Sequence, residues 1–176
     1  IAAPIIARID VDASGRVWFA AIANPGLFMG VNSNRAFVEV DVPDAGKGWA
    51  VKVLPNGDIW YGTDSGLFLR RNGIWRKFST KNGLADDLVW AITPGKSGEL
   101  WFAYRGPFGL TRAIPDGDSY KFTTLTQADG LPSNQVYFSK FDTRGRMWVG
   151  TDRGVAVSDG EHWVPYRRGE GLAWDD

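Results

Sequence analysis

Cysteine is absent from the 176 residues, which excludes disulfides and thiolate metal sites and leaves the redox compartment undecided. Histidine is nearly absent too, since His162 is the one imidazole. Thiol–imidazole catalysis is thereby excluded, and a serine triad or a histidine-rich metal site has little to be built from. Neither charge is in excess, with Lys plus Arg and Asp plus Glu at 20 each. No overall field therefore draws the chain to nucleic acid or to an anionic membrane surface. The apolar opening at residues 1–7 is broken by Pro4; it is too short to span a bilayer and lacks the basic start of a secretory signal. A sustained helical period is missing as well.

What the chain does have is aromatic side chains, at 14% with nine tryptophans, and 22 glycines. Large flat side chains punctuated by residues that accept positive φ suit an all-β fold. The phrase Gly145-Arg146-Met147-Trp148-Val149-Gly150-Thr151-Asp152-Arg153-Gly154-Val155 returns closely at residues 57–67 and more loosely at 15–20 and 98–103. Its tryptophans, Trp18, Trp60, Trp101 and Trp148, are spaced 42, 41 and 47 residues apart. Short strand-like runs with glycine turns at that period predict β-propeller blades.

The fourth unit sets the parts of a blade: an extended run at 135–141, a turn at 142–145, strands at 146–150 and 154–158, the Asp159-Gly160 hairpin signal and a strand at 162–167. The fold expected is all-β, a propeller of four blades each with four antiparallel strands. The blades fall at about residues 5–41, 48–80, 87–126 and 134–168, with 169–176 leading toward a further one. The first strand of each would line the axis, and the third-to-fourth turn of the third unit reads as loose. Glycine follows the tryptophan by six residues in the second and fourth units and by eight in the first and third. Those longer connections, holding Pro25 and Pro107, are expected on a face where loops carry function or tolerate insertion.

Three phrases, Gly-Leu-Pro-Ser-Asn-x-Val (130–136), Asp-x-x-Gly-Arg-x-Trp-Val-Gly-Thr-Asp-x-Gly-Val (142–155) and Asp-Gly-x-x-Trp-x-x-Tyr (159–166), together resemble the two-component regulator propeller repeat. In that family the repeats build rings of often about seven blades in the extracytoplasmic sensor region of hybrid histidine kinases, many of which respond to carbohydrate. The resemblance implies a sector of a larger ring, a periplasmic or extracellular location and a ligand-sensing role in signal transduction. A closed four-bladed ring is the alternative. The family encodes no ligand-binding residue set in its motif, so no binding position carries over.

The four repeat tryptophans are expected as blade core, filling the wedge between sheets. A second series, Trp49, Trp90 and Tyr137, precedes the blade tryptophan by eleven residues each time, with Ala7 in the first unit. These rings either pack between blades or offer stacking faces to a sugar or other amphipathic ligand. Polar candidates are Asp86, Asp87, Ser133, Asn134 and Asp175 between blades, and Asn24, Asp64, Tyr104, Arg105 and Asp152 between second and third strands. Tyr104 and Arg105 stand out among them. The carboxylate pairs Asp86-Asp87 and Asp175-Asp176 are too few to form a calcium site. Gly95-Lys96-Ser97 mimics the end of a phosphate-binding loop, but Trp90 stands where its first glycine belongs.

No catalytic residue, metal or cofactor is expected. The function read from the sequence is a non-enzymatic ligand-sensing propeller that takes a small molecule or carbohydrate, with a protein-interaction scaffold as the alternative. A lyase akin to the streptogramin-lyase propellers, suggested by residues 12–20, ranks third.

Overall fold

The computed structural model describes residues 5–23, 25–30, 36–160 and 162–166. They form four sheets. The first contains β1 (Ile5–Val11), β2 (Val17–Ala23), β3 (Gly26–Gly30) and β4 (Phe37–Val40), and the second β5 (Gly48–Val53), β6 (Ile59–Thr63), β7 (Leu67–Arg71) and β8 (Ile74–Phe78). The third contains β9 (Val89–Pro94), β10 (Leu100–Tyr104), β11 (Leu110–Asp116) and β12 (Ser119–Leu125), and the fourth β13 (Val136–Phe141), β14 (Met147–Thr151), β15 (Gly154–Ser158) and β16 (Trp163–Tyr166). Each sheet is a meander whose strands lie side by side in chain order. The chain groups into two compact units, residues 1–82 with 86–92 and residues 83–85 with 93–176.

Turn chemistry sets the meander. Between β7 and β8 the register closes at Arg71 opposite Ile74, so Asn72-Gly73 is a two-residue hairpin loop. Both residues have positive φ, at 52° and 83°, as the turn twisted like its strands requires. The third-to-fourth connection of the third sheet is equally tight, contrary to the loose turn expected. There β11 runs on to Asp116, opposite Ser119, and Gly117 takes a φ of 58°. Pro115 interrupts nothing, because β10 stops pairing at Ala113 and the missing proline N–H has no ladder partner to lose. The longer second-to-third stretch of the first repeat is partly strand. Its extra residues extend β2 to Ala23.

The repeated Asp-x-x-Gly-Arg-x-Trp phrase folds as one hydrogen-bonded cluster. Asp12 Oδ1 accepts from the Ser14 and Arg16 amides at 2.9 and 3.0 Å, while its Oδ2 accepts from Arg16 Nε at 2.7 Å and Trp18 Nε1 at 3.0 Å. Asp142 repeats the pattern with Arg144, Arg146 and Trp148 at 2.8 to 3.1 Å. Gly15 and Gly145, at φ of 77° and 83°, occupy the left-handed position the turn needs. One carboxylate thus ties the turn to the ring that enters the core.

Alternation along β2 and β6 builds the core of the first unit. Trp18, Ala20 and Leu27 of the first sheet pack against Val51, Ile59, Tyr61 and Phe68 of the second. Trp18, Trp60 and Trp101 are buried as expected. Trp148 departs from the series, since it is only half-buried. Its cover among the described residues comes from its own sheet, the Tyr166 ring at 5.7 Å and the Arg146 guanidinium at 5.6 Å, whereas Trp18 has a second sheet packed against it.

Two one-turn 3-10 helices, Thr80–Asn82 and Gln127–Asp129, precede β9 and β13. The second is closed by a Thr126–Asp129 capping box and by Gly130 in the left-handed conformation. Leu84 and Leu131, just beyond, are buried.

Candidate functional site

The strand that begins the first, second and fourth sheets carries a β-bulge. The register of β5 against β6 slips between Gly48 and Ala50, that of β13 against β14 between Val136 and Phe138, and that of β1 between Ile6 and Arg8. The residues inside these slips are Trp49, Tyr137 and Ala7, three members of the eleven-residue series. An extra residue opposite one partner is freed from the ladder and its side chain is re-aimed. The period of the series is therefore a backbone feature as well as a side-chain one.

In the first unit the series converges. Trp49 and Trp90 stack with centroids 5.2 Å apart and planes 25° from parallel, and the Arg8 guanidinium lies 5.7 Å from the Trp90 ring. Both indoles are half-buried, and the Trp49 Nε1 is itself buried. Stacked aromatics with a cation alongside present a flat apolar face beside fixed hydrogen-bond donors. Arg8 was not legible as a partner, because its neighbour Ala7 breaks the aromatic series in the sequence. In the second of the two compact units Tyr137, from the fourth repeat, is 50% exposed.

The polar candidates fare differently. Tyr104 is a correction. It is the last residue of β10 and not part of a loop, it is 1% exposed, and its hydroxyl donates to Thr111 Oγ1 at 2.6 Å and accepts from the Ala85 amide at 3.1 Å. A ring so enclosed is core, and no ligand touches it without unfolding the sheet. Arg105 does lie in the exposed connection that follows, where its carbonyl accepts from Gln135 Nε2 at 2.9 Å.

Asp86 accepts from the Leu88 amide at 2.7 Å, and Asp87 from the Thr80 amide at 2.7 Å. Ser133 accepts from the Gln135 amide at 3.1 Å and Asn134 from the Gln127 amide at 2.7 Å. The two loops use the same pair of clips, so these side chains shape the turns after each 3-10 helix. Asp64 accepts from the Lys47 amide at 2.8 Å. Asp152 is half-buried in its two-residue turn, where its amide meets the Gln135 carbonyl at 3.4 Å. Asn24, Asp175 and Asp176 lie outside the described residues.

His162 is exposed beside the β15–β16 turn, its amide donating to Asp159 at 3.1 Å. The glycines at 95 and 98 form the β9–β10 turn, closed by the Gly95 amide on the Glu99 carbonyl at 2.8 Å. Among the described residues no three His, Cys, Asp or Glu side chains gather where they could hold a metal ion. No helix there is long and apolar enough to cross a membrane.

Residues 130–153 match the family model described as two component regulator propeller, the stretch in which the sequence resemblance is densest. No curated protein matches the chain. Among solved structures, the extracellular domain assigned to a hybrid two component system of B. thetaiotaomicron superposes with a TM-score of 0.80 at 17% identity, over 96% of this chain and 24% of the other. A second extracellular domain from that organism, assigned to a one component system, gives 0.75 at 19% identity over 92% and 24%. A virginiamycin B lyase from Staphylococcus aureus, solved with quinupristin, gives 0.70 at 16% identity over 95% and 57%. The fold is that of a β-propeller with four-stranded blades, and the chain spans about a quarter of the length of the two extracellular domains.

Proposed function

We propose that the chain is a sector of a larger extracytoplasmic propeller that senses a ligand without transforming it. The observation that carries this reading is the bulged aromatic series: the backbone is broken at the same place in several blades, and in the first unit the result is a stacked indole pair beside a guanidinium. Bulges of this kind re-aim side chains next to binding sites. The match to a regulator propeller and the likeness to extracellular sensor domains support the setting. The exposed turn position of the sole imidazole, His162, supports binding over turnover.

The ligand class proposed is a neutral carbohydrate, whose C–H faces stack on indole while its hydroxyls meet groups such as Arg8. Sensing then follows if the ligand prefers one arrangement of the propeller and its downstream segments over another. A thermal-shift panel of mono- and oligosaccharides tests this on wild type and on Trp90→Ala. A ligand held at about one hundred times its Kd raises stability by about 2.7 kcal/mol, and the substitution is expected to abolish that gain. Indifference of the wild-type protein to the whole panel would refute the carbohydrate reading.

A protein-interaction scaffold is the second reading, and the first sheet favours it. Ile5, Ile9 and Val11 on β1 and Phe37 and Val38 on β4 are all more than half exposed, a larger apolar display than a solvated sheet needs. A partner recovered at fixed stoichiometry, and no longer recovered when Ile9 and Val38 are both changed to lysine, would move the weight to this reading.

A further inference from the structure

Asn-Gly occurs three times in the chain, at 56–57, 72–73 and 82–83. A glycine has no side chain to shield its amide nitrogen, which can attack the carboxamide carbon of the asparagine before it, the chemistry that makes asparagine heat-labile. Hydrogen bonding separates the three pairs. Asn56 is held at both ends of its amide: Nδ2 donates to Asp58 Oδ2 at 3.1 Å, Oδ1 accepts from the Asp58 amide at 3.1 Å, and the Gly57 amide donates to the Leu54 carbonyl at 2.9 Å. Asn82 Oδ1 accepts from the Ser79 amide at 3.0 Å and from the Ser79 hydroxyl at 3.3 Å. At the β7–β8 tip neither the Asn72 side chain nor the Gly73 amide has a hydrogen-bond partner among the described residues, and both residues are exposed.

The surroundings of that tip favour the same step. From Ser65 to Ala85 the sequence has the cations Arg70, Arg71, Arg76, Lys77 and Lys81 and no carboxylate; Asp58, outside that stretch, pairs with Arg71 at 2.6 Å. Attack passes through a deprotonated amide nitrogen and an oxyanion on Asn72 Cγ, and positive charge nearby stabilises both. Asn56, by contrast, is bonded to a carboxylate. The attack also requires the Asn72 ψ to rotate out of the turn. Because β8 is the last strand of its sheet and pairs on one side alone, the tip opens at little cost.

We propose that Asn72 is a modification site that loses its amide spontaneously to give aspartate and isoaspartate. The Gly73 nitrogen bonds to Asn72 Cγ, the Cγ–Nδ2 bond breaks, and ammonia leaves with the proton that the Gly73 amide gives up. Water then opens the succinimide at either carbonyl, restoring the normal backbone or routing the chain through Cβ. Isoaspartate adds a backbone atom to a two-residue turn whose register sets Arg71 opposite Ile74, so it loosens β8. The site is separate from the aromatic pair of the first unit and does not rest on the carbohydrate reading.

Incubation of the full chain in mildly alkaline buffer made with heavy-oxygen water, followed by peptide mapping in a mass spectrometer, reads all three pairs in one sample. Asn72 is expected to convert at least about tenfold faster than Asn56, which must first break three hydrogen bonds, with Asn82 between them. The same chain unfolded in guanidinium chloride is the control, where the three pairs should convert within about threefold of one another. An Asn72 left intact in the folded chain while the unfolded sample reacts, or Asn56 converting as fast as Asn72, would overturn the proposal. So would a preference for Asn72 that is undiminished in the unfolded chain, since the selection would then lie in the neighbouring sequence and not in the fold.

Discussion

Gly62 and Gly150 hold the same place in the repeat, two residues after Trp60 and Trp148, yet alanine should do different things at the two. A Cβ on Gly62 would lie 2.7 Å from the Val89 carbonyl oxygen, 3.1 Å from Val89 Cγ1 and 3.2 Å from the Ala50 Cβ. The carbonyl belongs to the backbone of β9, so relief requires a strand to move. Overpacking of this kind costs about 1–3 kcal/mol, and the smaller unfolded-state entropy of alanine returns about 0.4–1 kcal/mol. Gly62→Ala is therefore expected to destabilise by about 1–2 kcal/mol. Its φ is outside the left-handed region, so the penalty is steric and not conformational. At Gly150 the added carbon would fall on the Phe138 ring, which is 56% exposed and able to turn away. That substitution should change stability by no more than about 0.5 kcal/mol. Urea unfolding followed by tryptophan fluorescence reads both, and thermal melts should show Gly62→Ala about 2–8 °C lower. Equal losses at the two positions, or a neutral Gly62→Ala, would refute the argument that backbone and not side chain sets the limit.

Tyr104→Phe leaves the Ala85 amide without its acceptor and Thr111 without one of its hydrogen bonds. It should cost about 1–3 kcal/mol in urea unfolding while leaving ligand affinities unchanged, and weaker binding at undiminished stability would restore Tyr104 as a ligand-binding residue. Acid should unpick the Asp-x-x-Gly-Arg-x-Trp clusters. Burial alone would raise the Asp12 and Asp142 carboxyls, but the hydrogen bonds from turn amides, indole and guanidinium hold both below the ordinary value of 3.8. A carboxyl depressed in the folded state adds stability above its unfolded pKa, and that contribution disappears as the pH falls through the folded one. Melts from about pH 6 to about pH 2 should therefore show the gap between wild type and Asp142→Asn closing on the acid side. A gap that is constant with pH would sink the assignment.

The tryptophan period was enough to place all sixteen strands of the described residues in four meanders, because each blade repeats one local grammar: an aspartate or glycine turn, a ring and a hairpin. Features that depend on what packs against a blade were not legible. Trp148 carries the same phrase as Trp18, yet it is half-buried, since burial belongs to the neighbour and not to the phrase. Tyr104 reads as a loop residue because its motif lacks the glycine seen after Trp60 and Trp148, yet it ends β10 three residues after its tryptophan, as Thr63 ends β6 and Thr151 ends β14. The bulges at Trp49 and Tyr137 were invisible for a different reason. A register slip alters no residue type, so an eleven-residue spacing records the aromatic but not the kink that presents it. The vacated aspartate position at Gly95, in contrast, is readable once the cluster around Asp12 is known. A repeat that keeps its tryptophan and drops the acceptor for that tryptophan's N–H has either given up a stabilising hydrogen bond or made room for another molecule to supply it. The second sheet favours the former, because it makes the same exchange: Leu54 stands at the aspartate position and Asp58 at the arginine position, where it pairs with Arg71 at 2.6 Å.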